Sequence, residues 1–98
     1  MDIFRSLSRD EPDDYDVDFS KALEQLSAYL HGLGRIEDAL RTREEAVVSL
    51  RRLVADRPAE YKSDLADSLQ VLSRYFRDLK RPGKAIRTSF EGMRILYM

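Results

Sequence analysis

Cysteine is absent from this 98-residue chain, so it has no disulfide framework, no thiolate metal site and no cysteine nucleophile. Long apolar runs are absent too, which removes a bilayer-spanning helix, since that needs about 18 consecutive apolar residues. The start, Met1-Asp2-Ile3-Phe4-Arg5, lacks the basic and apolar regions of a secretion signal. Glycine-rich phosphate loops, serine elbows and histidine clusters are likewise missing. What remains is 43% hydrophobic and 36% charged, enough apolar residue for one small core beneath a strongly charged surface. A cytosolic, helical protein is expected, with no catalytic residue, no cofactor and no metal.

The net charge of −1 hides an asymmetry. Residues 1–20 hold seven acids against Arg5 and Arg9, and residues 74–94 hold seven bases against Asp78 and Glu91. Opposite fields at the two ends favour self-association or a folded-back leader, both weakened by salt. The simpler alternative is a solvated acidic leader and a solvated basic helix face.

Three breaks organise the chain. Glu11-Pro12-Asp13-Asp14 is excluded from a helix interior, because proline lacks an amide and the acids repel. Residues 1–17 are therefore expected to form an acidic leader, flexible or with one short helical turn at Ile3, Phe4 and Leu7. Gly32-Leu33-Gly34 breaks a helical pattern, and Asp56-Arg57-Pro58 ends another. Between the breaks the apolar spacing is three and four residues throughout. Phe19, Leu23, Leu26, Leu30 and Leu33 share one face, and Ile36, Ala39, Leu40, Ala46, Val47, Leu50, Leu53 and Val54 share a second. Leu65, Leu69, Leu72, Phe76 and Leu79 give a third, and Ala85, Ile86, Phe90, Met93 and Leu96 a fourth, opened by Pro82. Asp18 and Ser63 are the expected N-caps.

Shifted by 46 residues, the segment 15–52 lies over 61–98 without a gap, with 13 identities in 38 positions. Tyr15/Tyr61, Leu26/Leu72, Ser27/Ser73, Tyr29/Tyr75, Leu33/Leu79, Ala39/Ala85 and Leu50/Leu96 are among them. The chain thus reads as two copies of one helix–turn–helix, residues 18–57 and 58–98. The fold class expected is all-α, with about four helices in tandem antiparallel pairs.

The pattern Leu23-x-x-Leu26-Ser27-x-x-Leu30-x-x-Leu33-Gly34-Arg35-x-x-x-Ala39-Leu40, followed by Ala46-Val47, resembles a tetratricopeptide repeat. The longer period and the tract from Leu53 to Ala66 resemble the kinesin-light-chain type found in fungal repeat arrays. That resemblance implies an α-solenoid fragment, with small residues at Ser27, Ala39, Ala46, Ser73, Ala85 and Gly92 where helices approach closely. The sequence departs from the pattern at Arg43 and Ser89, where the family carries an apolar residue, and at Lys80 and Gly92, which replace Gly34 and Ala46 in the second copy. Glu24-Gln25 and Gln70-Val71 stand where that type tends to place asparagines.

By position, the resemblance implies a recognition groove formed by Lys21, Glu24, Ala28 and His31 in the first copy and Asp67, Gln70, Arg74 and Arg77 in the second. The alternative is that these residues merely face solvent. His31 is otherwise a candidate to cap the last carbonyls of its own helix. The apolar ending, with Phe90, Met93, Leu96 and Tyr97, is a candidate self-association surface. A second copy, the leader or further repeats would cover it. A protein or peptide partner and a homodimer or higher oligomer are expected, and no membrane role. A weaker alternative is nucleic-acid contact through a stripe of Arg74, Arg77, Arg81 and Lys84.

Overall fold

The computed structural model describes residues 12–97, with side chains from Tyr15 onward. Among the described residues there are four α-helices and no strand: α1 (Pro12–Gly32), α2 (Ile36–Asp56), α3 (Pro58–Asp78) and α4 (Pro82–Leu96). Two of the three breaks read from the sequence, Gly32-Leu33-Gly34 and Asp56-Arg57-Pro58, fall at junctions between them. Gly32 closes α1, Arg57 alone separates α2 from α3, and Pro82 opens α4.

Two expectations about helix starts are corrected. Residues 12–17, expected in the leader, are the first turns of α1. Proline fits a first helical position, where the amide it lacks would be unsatisfied anyway, and acids behind it favour the positive end of the helix dipole. Pro12 is also the counterpart of Pro58, so α1 overlies α3 from end to end at the 46-residue shift. Asp18 and Ser63 therefore lie inside helices and cap nothing. The turn expected at Ile3, Phe4 and Leu7 lies outside the described residues.

The two turns are one motif made twice. Arg35 N–H reaches the Leu30 carbonyl at 2.9 Å and Gly34 N–H that of His31 at 3.0 Å. In the second copy Arg81 N–H bonds Phe76 at 2.9 Å and Lys80 N–H bonds Arg77 at 2.9 Å. These paired backbone bonds satisfy the last carbonyls of α1 and α3, and they require a left-handed residue at the turn. Gly34 supplies it at φ 81°, whereas Lys80 is held at φ 61°. The backbone thus does the capping, and His31 is not the cap of its own helix.

The helices pack in sequence order, α1 on α2, α2 on α3 and α3 on α4. The core runs through Leu40, Val47, Leu50 and Leu53 of α2 and Leu65, Leu69, Leu72, Tyr75 and Phe76 of α3, closed by Ala85 and Ile95. Ser27, Ala39, Ala46, Ser73, Ala85 and Gly92 are all buried, where small side chains let the hairpins close. A methyl group at Gly92 would meet Gln70 Nε2 at 2.8 Å and the Ala66 carbonyl at 3.3 Å.

Not all of the expected apolar seam is dry. Leu72 is 6% exposed, but its first-copy counterpart Leu26 is 48% exposed, and Phe19 and Leu33 are open as well. The physical reason is position. α3 has α2 on one side and α4 on the other, whereas α1 has a packed helix on one side among the described residues.

Candidate functional site

The eight expected groove residues do not act together. Ala28, His31, Arg74 and Arg77 line one cavity of about 350 Å³ between α1 and α3, floored by Arg43 of α2 and walled by Tyr75 and Asp78. Lys21 and Glu24 border a smaller one of about 80 Å³ nearer the helix starts, together with Asp64. Asp67 is exposed on α3, on the acidic side of Glu24. Gln70 is the exception. Its Nε2 donates to the Ser89 carbonyl at 3.0 Å and its Oε1 accepts from Ser89 Oγ at 3.0 Å, so it joins α3 to α4 and leaves the groove set.

Helix register builds the larger cavity. α1 and α3 run parallel, so residues one repeat apart come side by side at their C-terminal ends. His31 Nε2 lies 2.9 Å from Asp78 Oδ2, and its ring stacks on Tyr75 with centroids 4.7 Å apart. This latch joins the two first helices at the turn end. Beneath it, Arg43 is 6% exposed, its guanidinium 6.0 Å from the centre of the Tyr75 ring. Nη1 donates to Ser68 Oγ at 3.3 Å and pairs with Glu24 Oε2 at 3.3 Å, while Nη2 donates to the Glu24 carbonyl at 3.3 Å. Arg43 Nε is buried without a hydrogen-bond partner. A charge held this deep costs stability unless its partners are complete, so Arg43 is an expensive residue to keep.

Charge divides the cleft. Burial raises the Glu24 carboxyl above its ordinary value; Arg43 and the Ser68 hydroxyl pull it down, and Asp64 and Asp67 push it up again. The end near Glu24 is thus acidic. The opposite end presents Arg74 and Arg77, both exposed and neither in an ion pair with another described residue. Arg43, Tyr75 and Asp78 were not read as site residues. The departure at position 43, a charge in an apolar register, was the available signal for the first of them.

The basic stripe expected along one helix is not formed. α3 ends at Asp78, and Arg81 lies in the turn, paired with Glu37 at 3.1 Å. Lys84 belongs to α4 and sits 5.8 Å from the centre of the Phe76 ring. At the C-terminal end, Phe90, Met93, Leu96 and Tyr97, the candidate self-association residues, are exposed. Among the described residues no helix is long and apolar enough to cross a membrane, and no group of three or more acids or histidines could hold a metal ion. Comparison with protein-family models, curated proteins and solved structures gives no match.

Proposed function

We propose that this chain is a non-catalytic protein-interaction module of the tetratricopeptide kind, an α-solenoid fragment that takes an acidic peptide segment in the cleft between α1 and α3. The observation that carries the reading is the couple Arg74 and Arg77, neither in an ion pair with another described residue, on the wall of a 350 Å³ cavity. Arginine presents a planar fork of donors that matches a carboxylate in two places, and it loses little order when it does so. The acidic end around Glu24, Asp64 and Asp67 repels the same ligand, so the segment is oriented, with its acids toward the turn end of the helices. The reading needs no metal, cofactor or chemical step. A purely structural role, with an idle groove, is the second reading, and the exposed apolar ends favour it.

Fluorescence polarisation with labelled acidic, neutral and basic peptides tests the first reading. Acidic peptides bind and the others do not. The double variant Arg74→Glu, Arg77→Glu loses at least about tenfold in affinity with unchanged helicity, because each reversal replaces attraction by repulsion. Equal binding of all three peptides, or no loss in the double variant, overturns it. Tighter, salt-steep binding of duplex nucleic acid would move the assignment to that class.

A further inference from the structure

We propose that copies of this chain stack head to tail, the outer face of α1 in one copy docking on the outer face of α4 in the next, as α3 docks on α2 within the chain. The argument shares Arg77 with the cleft but does not depend on what the cleft binds. It rests on the internal junction, which shows which residues such a contact needs and how they meet.

Within the chain, α3 presents Leu65, Ser68, Leu72 and Tyr75 to α2, and all four are buried. At the 46-residue shift their counterparts on α1 are Phe19, Ala22, Leu26 and Tyr29, equally apolar or small and all exposed; Tyr29 is 66% open where Tyr75 is 4% open. α2 receives α3 with Leu40, Arg43, Val47 and Leu50, also buried. Their counterparts on α4 are Ile86, Ser89, Met93 and Leu96, of which the three apolar ones are exposed. Each end of the described structure is therefore one half of an interface whose two halves are already joined in its middle. Random surface variation does not give this. A helix meant for water keeps polar residues at such positions, and scattered single apolar residues do not recur in the register of a buried seam.

The space available fits as well. A cavity of about 470 Å³ opens on α4, bordered by Arg77, Ile86, Ser89, Phe90 and Met93. Arg77 and Ser89 stand at the positions of His31 and Arg43, the two side chains that hold Tyr75 inside the chain. Ser89 is far smaller than Arg43, so the seat is empty where the internal one is filled by a guanidinium. Tyr29 of the next copy is the counterpart of Tyr75, and in this seat its ring lies against Arg77, a cation over an aromatic face. Where Arg43 meets Ser68 in the internal junction, Ser89 would meet Ala22, two small residues that allow close approach. No buried charge is stranded by the exchange, since the residue lost is the arginine.

Such a contact joins two different surfaces, so it does not close on itself as a two-fold dimer does. Sedimentation equilibrium of the full chain tests it. The weight-average mass rises with concentration and passes the dimer value. Leu26→Asp with Tyr29→Asp blocks the α1 face, and Ile86→Asp with Met93→Asp blocks the α4 face. Each pair is on the surface, so helicity by circular dichroism stays unchanged, and each raises the apparent dissociation constant by about 30-fold or more, the scale of an interface hot spot. Mixed one to one, the two variants recover a heterodimer that grows no further, because one good face of each kind remains. An α1-face variant that still self-associates, or a mixture that stays monomeric, overturns the proposal. So does a wild-type chain that remains monomeric, which would mean that residues 1–11, further repeats or another protein covers these faces.

Discussion

α1 and α3 are the same helix in sequence pattern, length and turn, yet they live in different surroundings. In α3 the stripe Leu65, Leu69, Leu72, Tyr75 and Phe76 is sealed between α2 and α4. Among the described side chains of α1, Leu23 and the small Ser20 and Ser27 are buried, and Phe19, Leu26 and Tyr29 stay open. The second copy holds Lys80 and Gly92 where the first holds Gly34 and Ala46, but its first helix is the better packed. Burial in a stacked structure is decided by neighbours, and a residue's own hydrophobicity only makes it ready for one. The polar links of the two hairpins differ in the same way. Position for position, the Glu24–Arg43 ion pair of the first copy becomes the neutral Gln70–Ser89 pair of the second, with Gly92 clearing the space that the glutamine amide fills.

The comparison can be broken most directly at its central leucine. Leu72→Ala should cost about 3 kcal/mol, the removal of a sealed side chain from a core that refills poorly. Leu26→Ala, at concentrations that keep the chain monomeric, should cost less than about 1 kcal/mol, because half of that side chain already faces water. Urea unfolding of both variants measures the gap, and equal losses would mean that α1 is covered in solution.

The turns come next. Lys80 occupies a left-handed position that its counterpart Gly34 occupies without strain, so Lys80→Gly should stabilise by between about 0.5 and 1 kcal/mol, and Gly34→Lys should lose about as much. Shifted urea midpoints of opposite sign are the expected readout. A loss in Lys80→Gly would show that the lysine gains more than its backbone costs.

The smallest effect separates the two polar links. The folded chain holds a proton on Glu24 more tightly than the unfolded chain does, so in the window just above the ordinary glutamate value the native state binds more protons. Stability from this group therefore falls as pH rises through that window and is constant above it. The difference in unfolding free energy between wild type and Glu24→Gln should move against the wild type as pH climbs through the window just above the ordinary glutamate value, because burial raises this carboxyl. Movement in favour of the wild type would mean that Arg43 outweighs burial.

Much of this architecture was readable beforehand, and for identifiable reasons. The leucine spacing, the Gly34 turn and the proline at Pro82 act within a few residues of themselves, so local rules suffice. The start at Pro12 is not legible in the sequence, because a proline with acids after it looks the same at the end of a loop and at the head of a helix. Of the expected groove, Ala28, His31, Arg74 and Arg77 meet, because parallel helices one repeat apart bring equal positions together. Gln70 turned away because Ser89 and Gly92, distant in the chain, opened a place for it. The burial of Arg43 was hidden for a related reason. A charged side chain reads as surface until a tyrosine and a serine from another helix close over it.

Taken alone, the order of residues determined that there are two helical hairpins, where they turn, and which stripe of each helix wants to leave water, since all three depend on contacts within one or two helical turns. Only the packed molecule decided which of two equal stripes is dry, which arginines pair with another described residue, and which faces remain open. Those outcomes depend on what lies across the stack, and a helix carries no information about its neighbour's distance until the chain has folded.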